Sequence, residues 1–203
     1  VVTGGTLLAV RFQENRPVST RLALVRSLHD HRRWFRAKIL TEARGLPNDA
    51  LRRAFPMGPG SLFATLVHCW GAETAWINAV ENTDPAMQLP GADAFPSLDA
   101  LLAAWATTDA RWNAYFDRLA ALAASGNNAE LDRELDRPVV RIRDGKHYTT
   151  STEDVLVHVC THQAYHAAQM KNMLRQLGTE PKDLPTSDYI MFARERWDAS
   201  HKA

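Results

Sequence analysis

Cysteine is scarce in this chain: Cys69 and Cys160 are the only two among 203 residues. Each stands inside a run with helical periodicity, so they do not read as a disulfide scaffold, and a reducing cytoplasm is the expected compartment. Long apolar segments are missing as well. The longest near the start is Leu7 to Val10, with no cationic segment before it and no cleavage-like site, so neither a signal peptide nor a membrane span is expected. Net charge is nearly absent, with 24 Lys and Arg against 23 Asp and Glu; the overall balance therefore demands no nucleic-acid or membrane partner. No Pro-, Gly- or Ser-rich stretch is long enough to act as a linker between domains. With 45% hydrophobic residues the chain can bury one sizeable core. The expectation is a single domain over residues 18–198, preceded by a poorly ordered leader over residues 1–17. There is no HExxH, no glycine-rich phosphate loop and no Gly-x-Ser-x-Gly elbow, which removes the familiar signatures of zincins, nucleotide-binding folds and α/β-hydrolases.

What the sequence does contain is helical period, charge in one place, and histidine. Four long segments carry the period. The first starts after Pro17 with Ser19 or Thr20 as cap and runs to Arg44, with Gly45 as a stop. The second follows the "MGPGS" turn, capped by Ser61, and continues past Asn78; the third runs from Ser97 to about Ala124 and ends at "SGNN". The fourth opens near Ser151 or Thr152, with Glu153 and Asp154 suited to its N-terminal dipole, and stops at Gly178. Before it, "PVVRIRDGKHYTT" reads as two short strands around Asp144-Gly145, a preferred hairpin dipeptide, expected to be an ornament on a helical body. A short helix over residues 187–197 closes the chain. The fold class is therefore all-α, a four-helix bundle with a small β-hairpin before the fourth helix and a short C-terminal helix. From Arg11 to Arg53 ten Arg and one Lys face four acidic residues; this reads as a solvated helix face, or else as a basic binding surface.

The fourth helix holds His158, His162 and His166, one at every fourth position. Positions four apart drift by about 40° around a helix and about 6 Å along it, so neighbours share a face. The outer two are about 12 Å apart along the axis, too far for one ion with metal–nitrogen bonds of about 2.0–2.1 Å. The ladder thus offers one pair, His158 with His162 or His162 with His166, and a third ligand must come from another helix. His68 lies on the small-residue stripe His68, Ala72, Ala75, Ala79 of the second helix, which is the stripe expected to face the interior. A histidine there needs a partner, and a metal shared with a facing pair would supply one. Cys69 and Cys160 point away from these faces. His29, His31 and His201 read as exposed, and His147 as a hairpin residue; Glu73 reads as an interhelical ion-pair or capping residue.

Two longer motifs carry a resemblance. "THQAYHAAQMKNMLRQLG" with the later "SDYIMF", and "GSLFATLVHCWGAETAWI" before them, resemble the fourth helix, tail and second helix of the DinB/YfiT-like family of metalloenzymes, which is distinct from the DNA polymerase sharing the name. The similarity spans Thr20 to Phe192. It implies that His68, His162 and His166 coordinate one divalent ion, zinc or nickel, with His158 and Gln169 as surrounding groups. It implies a metal-dependent transferase joining a low-molecular-weight thiol to a small electrophile; the alternatives are a metal-dependent hydrolase and a non-enzymatic stress-response protein. A homodimer acting on a small molecule, without nucleic acid, is the implied assembly. In one place the chain departs from the family pattern: Ala167-Ala168 stand where an Arg-Gly pair usually follows the last histidine, while Gln169 is kept.

Overall fold

A computed structural model describes residues 18–201; the leader expected over residues 1–17 lies outside the described residues. The helices are α1 (Val18–Arg44), α2 (Asn48–Arg52), α3 (Leu62–Glu81), α4 (Leu98–Ala124), α5 (Asn128–Asp136), α6 (Thr152–Gln176) and α7 (Tyr189–His201), with a hairpin of β1 (Pro138–Arg143) and β2 (Lys146–Ser151). Four are long, and their packing closes a ring in which α1 and α3 each lie between α4 and α6, a four-helix bundle. Among the described residues no helix is long and apolar enough to cross a membrane.

The ends of the long helices follow from local chemistry. Ser61, Ser97 and Ser151 each accept a hydrogen bond from the backbone N–H three residues on, at 3.0, 3.2 and 3.1 Å, satisfying one of the donors a helix start leaves free. At the other end of α6, Gly178 takes φ +104°, and the N–H groups of Gly178 and Thr179 donate to the carbonyls of Arg175 and Leu174. This pair of bonds is the Schellman arrangement, and it favours glycine because of the left-handed φ. In the hairpin, Arg143 pairs with Lys146 around Asp144 and Gly145, whose φ values of 52° and 71° define a type I′ turn.

Three features differ from the sequence reading. The third long helix ends at "SGNN" as read, but a further helix follows that the sequence reading lacked: Asn127 accepts from the N–H of Glu130 and caps α5, whose Leu131 and Leu135 are fully buried. Nine residues with only two buried leucines are too short for periodicity to show against a polar background. The five-residue α2 escapes notice for the same reason. Nor is α1 a solvated basic face. Arg21 bridges to Asp132 and Glu153, at 3.0 and 2.6 Å; Arg32 and Arg36 are 2% and 6% exposed and point inward.

Those inward arginines divide the core. One apolar cluster gathers Phe35, Ile39, Phe63, Leu66, Trp105 and Met170; the other gathers Val25, Ile77, Trp112, Phe116, Leu156 and Val159. Between them each long helix contributes buried polar groups: Arg32 and Arg36 from α1, Glu73 from α3, Thr108 from α4, and Gln163 and His166 from α6. Glu73 is the hub. It pairs with Arg32, accepts from Arg36 at 3.2 Å and from the Trp105 indole N–H at 3.0 Å, while Arg36 also pairs with Asp109. The interhelical ion pair read from sequence is therefore buried, where each charge needs its partner.

Candidate metal centre

The histidine ladder sits across the edge of the α6 core stripe, which runs through Val155, Val159, Gln163, His166, Met170 and Met173. A drift of about 40° per four residues carries each successive histidine further inward. Accordingly His158 is exposed, His162 half-buried and His166 buried. On the facing side α3 runs antiparallel: Thr65 meets Met173, and Trp76 meets His158. That register sets His68 opposite His162 and His166, with ring centroids 5.1 and 4.7 Å away. The small-residue stripe makes the approach feasible, since Ala72, Ala75 and Ala79 are all buried.

One nitrogen from each of His68, His162 and His166 lies within 4.8 Å of the others. The Nε2 atoms of His68 and His162 are 3.2 Å apart. Two nitrogens bound at about 2.0–2.1 Å to one tetrahedral ion are separated by about 3.3 Å, so this spacing fits shared coordination. His166 Nδ1–H donates to the Gln169 carboxamide oxygen at 2.8 Å, which fixes the tautomer and leaves Nε2 with its lone pair free. Protonation is suppressed at all three. Burial lowers the His162 pKa to about 3, helped by the neighbouring His166, His68 and His158. Burial also lowers His166, and burial with the charges of His166 and Arg143 lowers His68. Neutral imidazoles are the form a metal needs. His158 stays outside the cluster, its ring 5.2 Å from Trp76.

Gln169 is itself held from outside. The "MGPGS" turn lies over it, with Gly58 at φ +50°, and a Cβ on Gly58 would sit 2.4 Å from the Gln169 amide oxygen. The turn was legible in the sequence, but its contact with Gln169 was not, because nothing local links residues 111 positions apart. Gln169→Leu is expected to leave the fold intact and weaken metal binding by about 10–100-fold, the usual consequence of removing a ligand's outer hydrogen bond. Competition against a chromogenic chelator measures it.

Other expectations are corrected. His29 is not exposed: it is 2% exposed, its ring 4.5 Å from that of Phe116 and one nitrogen 3.1 Å from Arg32. His31 is half-buried, and its Nε2 hydrogen-bonds the Ser187 carbonyl at 3.0 Å, tying the tail to α1. Helix α1 shows apolar residues at so many positions that its inward side cannot be read from period alone. The cysteines are free and buried, and burial raises the thiol pKa of both, that of Cys160 to about 11, so neither joins the cluster as thiolate. The hairpin is more than an ornament. It brings Arg141 and Arg143 to a pocket of about 480 Å³ whose floor includes His68 and His162, with Trp76, Leu89 and His158 around it. Strand periodicity located the hairpin but could not place it against α3.

The fold and the cluster define a helical-bundle protein with three histidines able to hold a metal ion. The chain belongs to the DinB family, whose model matches residues 19–197. Comparison with curated proteins gives no significant match.

Proposed function

We propose that the chain is a metal-dependent transferase that joins a low-molecular-weight thiol to a small electrophile, with zinc or nickel held by His68, His162 and His166. The observation that carries this reading is the openness of the cluster. Among the described residues no fourth His, Cys, Asp or Glu belongs to it, and two of its three histidines face a pocket. Three imidazoles with a free position suit catalysis more than structure. A divalent ion there supplies a Lewis acid that lowers the pKa of a thiol or water brought to it. The protein's own groups do the rest. Trp76, Ala72 and Leu89 give the pocket an apolar wall that displaces water. His158, exposed at the mouth, is only partly shielded from water by its surroundings, which holds it below the usual imidazole pKa, so at neutral pH a ring nitrogen is free to take the proton a thiol releases. The expected homodimer and the reducing cytoplasm belong to this proposal; two free buried thiols suit such a compartment.

The test is conjugation of 1-chloro-2,4-dinitrobenzene to a panel of low-molecular-weight thiols by zinc- or nickel-loaded protein. Product is expected only with both metal and thiol, falling to background in His162→Ala. A fully metallated protein inert to the whole panel would overturn the reading. Ester turnover without thiol would instead make water the activated group, and a metal-dependent melting temperature without any turnover would make the ion a staple.

A further inference from the structure

The pocket above the histidines has a cationic rim whose two arginines are in different states. Arg141 is committed: its guanidinium donates to the carbonyls of Pro85, Met87 and Ile142, and so straps the loop after α3 onto the hairpin. Arg143 is not. Its one ion-pair partner among the described residues is Asp144, at 3.6 Å, and its side chain is 75% exposed, a separation beyond a hydrogen bond and a pair that contributes little. Yet Arg143 is not a distant surface charge. It lines the same pocket as His68 and His162. The type I′ turn at Asp144-Gly145 pins the strand end from which it projects. Arg143 therefore offers a planar fork of donors on the open side of the cluster, where a carboxylate can be bound bidentately.

The charge of the site points the same way. The pocket lining contains Arg141, Arg143 and, as its one carboxylate, Asp144. Neutral histidines leave the charge of a bound divalent ion uncompensated, so a loaded pocket is strongly positive. Its volume of about 480 Å³ suits a small molecule. From this geometry we infer that Arg143 sets specificity by binding a carboxylate of the substrate, so that the site takes small carboxylate-bearing molecules with the reacting group directed to the histidine cluster. This deepens the proposed function and rests on the histidine cluster being the reaction site. The carboxylate belongs either to the thiol or to the electrophile.

Isothermal titration calorimetry on the zinc-loaded chain separates these cases. The thiol arm compares 3-mercaptopropionate with its methyl ester, and the thiol-free arm compares succinate with dimethyl succinate. Each pair is titrated into wild type, Arg143→Gln and, as a control, Arg175→Gln, an exposed arginine near the end of α6. In at least one arm the acid is expected to bind about tenfold or more tightly than the ester. Arg143→Gln should reduce that ratio by about tenfold with ester affinity unchanged, and Arg175→Gln should leave it alone. The arm that shows the effect identifies the carrier of the carboxylate. Equal binding of acid and ester in both arms, or a preference untouched by Arg143→Gln, overturns the inference. Repeating the titrations without metal keeps the two readings apart. An Arg143-dependent preference in metal-free protein supports the arginine's role even where the chain retains no zinc.

Discussion

His166→Ala protein, purified without a histidine tag, loaded with zinc and desalted, is expected to retain below about a tenth of an ion per chain, against about one in wild type. The reason lies in how few ligands there are. Three nitrogens within 4.8 Å form the cluster, so removing one leaves two imidazoles. The loss should exceed the roughly 10–100-fold that follows removal of an outer hydrogen-bond partner such as Gln169. Because His166 is 5% exposed, its truncation also opens a cavity, and circular dichroism is needed beside elemental mass spectrometry. His68→Ala supplies the independent check, since His68 is only half-buried; it should lose the metal with the helical signal unchanged. His158→Ala should keep it, because the ring lies 5.5 Å from that of His162 on the far side from the cluster. Metal kept in His166→Ala and lost in His158→Ala would shift the site one helical turn and refute the assignment.

Glu73→Gln is the change expected to cost the most stability, roughly 3–5 kcal/mol. Glu73 is 2% exposed and holds two arginines that are themselves almost without solvent, Arg32 and Arg36. Glutamine keeps the shape and the acceptor for the Trp105 indole but removes the charge, leaving Arg36 paired with Asp109 and Arg32 with no ion-pair partner among the described residues. A buried ion pair adds little over a well-packed apolar core, yet breaking one leaves a charge that neither water nor protein compensates. With about 2–4 °C of melting temperature per kcal/mol at this chain length, the midpoint should fall by about 10 °C. Differential scanning calorimetry of metal-free protein reads this without interference from ion binding. A shift under about 2 °C would mean that water reaches the layer and that the cluster is not buried as described.

The layer that Glu73 organises also explains where the site could form. A bundle core that is apolar throughout would have no place for three imidazoles. Here the two apolar clusters stop short of each other, and the gap is filled by buried polar groups from all four long helices. His166 and Gln163 occupy the α6 side of that gap, and the cluster with His68 and His162 opens from it toward the pocket. Most of the layer is thereby paired, but the Gln163 carboxamide and Glu73 Oε1 are buried without a hydrogen-bond partner among the described residues.

Those features of this protein that depend on nearest neighbours were fixed in the sequence. The serine starts at Ser61, Ser97 and Ser151, the glycine stop at Gly178 and the Asp-Gly turn are set by interactions within a few residues and stand where the sequence placed them, whereas α1 begins at Val18, with Ser19 and Thr20 inside it and not at its cap position. The spacing of His158, His162 and His166 likewise confined any ion to one pair of them. What the sequence left open are relations between segments far apart. Which pair faces His68 depends on the antiparallel register of α3 and α6, which side-chain packing along both helices sets. That Arg32 and Arg36 point inward, that Gly58 covers Gln169, and that Arg143 overhangs the pocket are decided the same way. Local energies determine an element, but only burial against particular partners determines which of its faces is inside.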